Sequence, residues 1–180
     1  VAYGLSYLHA NNILHRDLKS LNVLLDDKMR AKLCDFGLSK LKTETRTTTK
    51  VAPSVGTLRW MAPELFGLKP KYSAASDVYA LAMVLWELSS REIPYAGVED
   101  GEIRSAIKDG DREDIPEDCP RGFARLIGLC WEQRSNSRPA AVAIGKSLEA
   151  LEAECKSHVE SGPGAKTGAA VVSGFHGFSS

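Results

Sequence analysis

The sequence predicts a mainly α fold, a helical bundle around one buried central helix with a short β-hairpin at its side. Three observations carry this. Residues 73–89 follow a helical period yet carry apolar side chains on more than one face (Val78, Leu81, Ala82, Leu85, Trp86 and Leu88), as expected of a helix enclosed by its neighbours. Three weaker helical stretches, about residues 101–108, 122–131 and 140–156, follow it, each bounded by Pro or Gly. Upstream, the apolar runs Val23-Leu24-Leu25 and Ala31-Lys32-Leu33-Cys34 flank a polar turn, Asp26-Asp27-Lys28, and read as a hairpin.

With 180 residues and 43% hydrophobic content, the chain is long enough for one domain with one main core. Lys and Arg number 23, as do Asp and Glu, so no global field draws the chain to nucleic acid or an anionic membrane, and phosphate handling must be local. The four cysteines, at 34, 119, 130 and 155, form no C-x-x-C pair and have no His spaced to complete a zinc site. Reduced thiols in a cytoplasmic protein are expected. No apolar run approaches the roughly 20 residues that span a bilayer, and there is no signal-peptide pattern.

The remaining elements follow in order. Residues 1–11 place Leu5 and Leu8 three apart and read as the last turns of a helix stopped by Asn11-Asn12; a chain that opens inside a helix is expected to have lost something upstream. Residues 38–55 are polar, basic and rich in Thr without a usable period, and are expected to form a mobile loop. The run Arg91-Glu92-Ile93-Pro94-Tyr95-Ala96-Gly97 breaks the central helix. The folded domain is expected over residues 1–158, and residues 159–180, dominated by Gly, Ala and Ser, are expected to be a disordered tail.

Residues 15–22 read His-Arg-Asp-Leu-Lys-Ser-Leu-Asn, with an acid at Asp17 and an amide five places on at Asn22. A second acid follows in Asp35-Phe36-Gly37, then Ala-Pro-Glu at 62–64, Ser76-Asp77-Val78-Tyr79 and Arg138-Pro139. His-Arg-Asp alone could be any helix-to-loop junction, and Asp-Phe-Gly any tight turn; occurring together in this order they carry specificity. On these motifs residues 1–154 resemble the larger, C-terminal lobe of a protein kinase, of the serine/threonine type in the tyrosine-kinase-like group.

The resemblance implies a set of roles. Asp17 would orient the substrate hydroxyl and accept its proton, with Lys19, Asn22 and Thr57 completing the catalytic group. Asn22 and Asp35 would supply oxygens to Mg²⁺, or to Mn²⁺ in its place, shared with the phosphates of ATP. Lys19 would sit by the transferred phosphate and Leu24 would lie against the adenine. Lys19 is the serine/threonine-type choice, and the Thr57 hydroxyl would reach back towards Asp17 and Lys19, so the acceptor would be Ser or Thr of a protein. Arg16 would bind a phosphorylated residue of the Thr-rich loop, at Thr48, Thr49 or Ser54, placed there by an upstream activating kinase.

Structural support would come from His15, packed under Phe36; from Gly37, which frees the backbone after Asp35; from a buried Glu64–Arg138 ion pair; and from Asp77, receiving backbone N–H groups of the catalytic loop. Cys34 reads as a small buried residue or as a thiol facing the nucleotide pocket. His9, His158 and His176 have no assigned partner. Two packing positions depart from the relatives' pattern: Ser135 where Pro is usual after Cys130-Trp131, and Leu81-Ala82 where Phe-Gly is usual.

A glycine-rich loop, a strand Lys and a helix Glu are required by the same template and are not found in this chain. Two function classes therefore stand: the C-terminal lobe of an active serine/threonine kinase, with dual-specificity or tyrosine phosphorylation as a lesser variant, or a catalytically dead lobe acting as a scaffold or decoy.

Overall fold

The computed structural model describes residues 1–35, 40–41 and 56–161. Phe36, Gly37, Thr48, Thr49, Ser54 and all residues from 162 onward lie outside the described residues. Five helices dominate: α1 (Ala2–Ala10), α2 (Ala74–Ser90), α3 (Asp100–Asp109), α4 (Arg121–Cys130) and α5 (Ala141–Ser161). They are joined by four short strands, β1 (Ile13–Leu14), β2 (Val23–Leu25), β3 (Ala31–Leu33) and β4 (Lys40–Leu41). α5 runs to Ser161, three residues into the stretch expected as a tail.

α2 is the centre of the core. Its start is set by a capping box: the Ser73 hydroxyl accepts from Ser76 N at 3.2 Å, while the Ser76 hydroxyl accepts from Ser73 N at 2.9 Å. Every residue from Ser76 through Trp86 is buried, which requires the all-round apolar pattern of this segment. The helix ends at Arg91, which adopts a left-handed φ of 61°. Leu88, expected in the core, is 68% exposed, since the covering elements end at Trp86 and Glu87. α4 packs on α2 and α1 packs on α5. In the latter contact a Cβ on Gly145 would meet the Tyr3 ring at 2.8 Å, so a larger residue there would have to push the partly exposed ring aside.

On one side of α2 the Tyr79 ring is held between two guanidinium groups, Arg112 and Arg138, each 5.1 Å from its centre. Burial pushes the Tyr79 phenol far above its ordinary pKa, so it stays neutral between them. Arg112 also donates to Trp131 O at 3.1 Å, tying the segment after α3 to the end of α4.

The hairpin is antiparallel, with Val23 opposite Leu33, Leu24 opposite Lys32 and Leu25 opposite Ala31. Its turn is closed by Asp26 Oδ1, which accepts from Lys28 N at 3.0 Å and Arg30 N at 2.8 Å. The two residues of β4, inside the stretch expected as a loop, pair antiparallel with β1, Ile13 opposite Leu41 and Leu14 opposite Lys40. A two-residue strand is too short to leave an alternation in the sequence.

Candidate active site

The loop between β1 and β2 is hung from the first turn of α2. Asp77, almost fully buried, accepts from His15 N at 2.9 Å through Oδ2 and from Arg16 N at 2.9 Å through Oδ1. These bonds hold Arg16 at a φ of 69°, a left-handed conformation that costs a non-glycine residue about 1–2 kcal/mol. A third bond, His9 Nε2 to Asp77 Oδ2 at 2.9 Å, fastens the end of α1 to the same carboxylate. The first turn of a helix also favours the negative charge. His15 is buried, and that burial pushes its pKa down, opposed by the charges of Asp77 and Asp17.

The loop tied down in this way brings four of the expected catalytic side chains together. Lys19 Nζ lies 3.2 Å from Asp17 Oδ2 and donates to Thr57 Oγ1 at 3.1 Å. Asn22 Nδ2 donates to Asp17 O at 2.7 Å and to Asp17 Oδ2 at 3.3 Å, which leaves the Asn22 side-chain oxygen as its acceptor end. Asp17 is 5% exposed, and its other oxygen, Oδ1, is buried with no hydrogen-bond partner among the described residues. A buried carboxylate oxygen without a donor is costly.

Asn22 reaches the second acid through the hairpin. Cys34 N donates to Asn22 O at 3.0 Å, which places Asp35 one residue beyond that bond, itself at a φ of 57°. Among the described residues no three His, Cys, Asp or Glu side chains gather into a metal-binding cluster. Two hard oxygen donors, the Asn22 amide and the Asp35 carboxylate, nevertheless fit Mg²⁺, which keeps several waters and shares itself with phosphates. Leu24 is 55% exposed on β2, so its surface is open to a ligand. Cys34, expected buried, is only partly so, just past the end of β3, whose residues are themselves exposed or partly buried.

The other expected residues are the Glu64–Arg138 pair and Arg16. Arg138 meets Glu64 in a bidentate pair at 2.8 and 2.9 Å and also donates to Glu132 O at 2.7 Å and Ala75 O at 2.9 Å. The arginine is fully enclosed and the glutamate partly exposed. Arg16 lies over the Tyr72 ring at 5.4 Å and lines, with Asp17, Thr57 and Asp77, a cavity of about 20 Å³, room for roughly one water. Its Nε is buried without a hydrogen-bond partner among the described residues.

Three features escaped the sequence reading. His9 had no assigned partner and binds Asp77. Arg59 donates to Pro94 O at 2.6 Å and to Tyr95 O, joining the turn after Thr57 to the loop after α2. Glu87 accepts from Ser20 Oγ and Trp60 Nε1. Glu87 had a signal, an acid placed among the apolar residues at the end of α2; His9 and Arg59 had none, since their partners are far away in the chain.

Comparison with known proteins agrees with this geometry. The family model described as protein tyrosine and serine/threonine kinase matches residues 1–148. A probable serine/threonine-protein kinase of Dictyostelium discoideum is 42% identical over 145 residues, 80% of this chain and 15% of that protein. A serine/threonine/tyrosine-protein kinase of Arabidopsis thaliana is 39% identical over 156 residues, covering 86% of this chain and 39% of that protein. A dual specificity protein kinase of Dictyostelium discoideum is 39% identical over 152 residues, 82% of this chain and 30% of its own length. This chain therefore spans from about a seventh to two fifths of those relatives, and it belongs to the protein tyrosine and serine/threonine kinase family.

Proposed function

We propose that residues 1–158 form the substrate-side lobe of a protein serine/threonine kinase that transfers the γ-phosphate of ATP to Ser or Thr hydroxyls of proteins. The observation that carries the reading is the Asp17 carboxylate: one oxygen is held by Lys19 and Asn22, and the other is buried without a hydrogen-bond partner among the described residues. Asp17 orients that hydroxyl and receives its proton through Oδ1. Lys19, fixed between Asp17 and Thr57, presents a point charge to the transferred phosphoryl group. Thr57 holds Lys19 and borders the acceptor position.

Asn22 and Asp35 would hold the divalent ion, Mg²⁺ or Mn²⁺, and Leu24 would pack against the adenine. The ion, when bound, neutralises charge on the phosphates. Arg16, with a buried Nε, binds a phosphate on Thr48, Thr49 or Ser54 placed by an upstream kinase. Four free cysteines accord with a cytoplasmic protein. Among the described residues no helix is long and apolar enough to cross a membrane.

The test is transfer of labelled phosphate from ATP to a mixed protein substrate by the protein that carries this chain, followed by phosphoamino-acid analysis. Phosphoserine and phosphothreonine are expected. Phosphotyrosine in comparable amount would assign dual specificity, in keeping with the names of two relatives, and no transfer at all would leave the scaffold or decoy reading.

A further inference from the structure

We propose that Glu87 is a positioning residue for the transfer step: its carboxylate ties the catalytic loop at Ser20 to the Thr57-bearing turn at Trp60, and so keeps Lys19 and Thr57 in register with Asp17. The inference rests on the kinase reading above. Each oxygen of Glu87 has one donor, Ser20 Oγ on Oε1 at 2.7 Å and Trp60 Nε1 on Oε2 at 2.8 Å.

Both donors belong to segments that carry reacting groups. Ser20 adjoins Lys19 and opens the single turn Ser20–Asn22, so whatever holds Ser20 also sets Asn22. Trp60 closes the turn Leu58–Trp60, and its backbone N–H bonds Thr57 O at 3.1 Å. A shift at either donor therefore reaches Lys19, Asn22 or Thr57 within one turn. Glu87 stands at the opposite end of α2 from Asp77. Asp77 fixes the entry to the catalytic loop at His15 and Arg16, and Glu87 fixes its exit at Ser20. Asp17 and Lys19 lie between these two attachments to one rigid helix.

Packing alone gives no reason for an acid here. Burial pushes the Glu87 pKa up, and the bonds from Ser20 and Trp60 pull it back. An apolar side chain of similar size would cover the same surface without that desolvation cost. What the carboxylate adds is two directional bonds that join two segments already in contact through Lys19 and Thr57.

The test compares wild type, E87A, E87Q, S20A and W60F in the protein that carries this chain. The first measurement is hydrogen exchange of the Trp60 indole N–H, assigned with W60F and independent of turnover. S20A removes one arm of the clamp and is expected to speed that exchange about tenfold, the scale of one lost hydrogen bond. The second is steady-state kinetics. E87A is expected to lower kcat about 10²-fold with the KM for ATP unchanged, the cost of a displacement near 1 Å at the reacting groups. E87Q should recover to within about tenfold of wild type, because an amide can accept from Trp60 and donate to the Ser20 hydroxyl.

Unchanged indole exchange in S20A, or an E87A enzyme that turns over as wild type does, would overturn the clamp. If E87A fails to fold, S20A carries both measurements. An inactive wild type would instead refute the kinase reading, and the exchange measurement would still decide whether Ser20 and Trp60 are coupled.

Discussion

On the α2 flank of the catalytic loop the polar groups are enclosed, whereas on the hairpin flank large apolar side chains lie open. His15, Asp17, Asn22, Thr57 and Asp77 are all buried, and Asp77 alone takes three hydrogen bonds. Across the loop, Leu21, Leu24, Leu25 and Met29 are each more than half exposed. The difference separates two tasks. In the proposed function, the α2 flank positions the groups that would handle the hydroxyl and the transferred phosphoryl, which demands fixed geometry. The hairpin flank offers apolar surface and two oxygen donors, which the proposed function assigns to a nucleotide and its metal, and surface of that kind contributes nothing to the fold until something covers it.

If this contrast is right, substitutions on the two flanks should fail in different ways. The largest effect on stability should come from R138A. It removes both bonds to Glu64 and those to the Glu132 and Ala75 carbonyls, leaving a carboxylate without its cation at a cost of about 3–5 kcal/mol. Urea unfolding measures this, and a loss typical of an exposed pair, under about 1 kcal/mol, would mean that the brace is cosmetic.

Next, T57V removes the acceptor for Lys19 Nζ while keeping the shape of the side chain. A fall in kcat of about tenfold with unchanged unfolding is expected, one hydrogen bond's worth of positioning. A variant that loses stability and keeps its rate would place Thr57 with the braces instead.

A smaller, pH-dependent effect belongs to His15. Burial depresses its pKa, so the folded protein favours the neutral ring. The corresponding stability is fully present above the unfolded value of about 6.5 and is lost as pH falls below it towards the folded pKa. Its slope cannot exceed about 1.4 kcal/mol per pH unit. Urea midpoints taken at about pH 7.5 and pH 5.5 should therefore converge more closely for H15F than for wild type. Equal acid sensitivity in the two proteins would show that other groups are responsible.

Smallest for the fold is L24S, on the exposed flank. Stability should change by no more than about 0.5 kcal/mol, while the KM for ATP rises by as much as about tenfold through lost apolar contact. A large stability loss with no change in KM would reverse the assignment of the two flanks.

How much of this could be read from the sequence follows from the range of each signal. The helices announce themselves through local periodicity, and α2 was legible as a buried helix because apolar residues surround it. The hairpin was legible because its turn is built from its own residues, Asp26 accepting from Lys28 and Arg30. The site residues came from motif spacing in the loop and from the resemblance, not from periodicity. His9 was not legible, because its partner is 68 residues away and nothing at the end of α1 indicates which carboxylate it will meet. Leu88 was misplaced because a helical pattern cannot say where the covering elements stop. The pairing of β4 with β1 was invisible for want of length. Glu87 carried a legible anomaly, an acid in an apolar stretch, but its meaning lies in two donors contributed by separate segments.

The most direct measurement is the effect of D17N on turnover and on nucleotide affinity in the protein that carries this chain. Asp17 belongs to the enclosed flank, and the amide preserves its size while removing its power to take a proton. A fall in kcat of about 10³-fold is expected, with nucleotide Kd and unfolding midpoint unchanged. Turnover retained in D17N would contradict the account, as would nucleotide affinity lost in step with kcat.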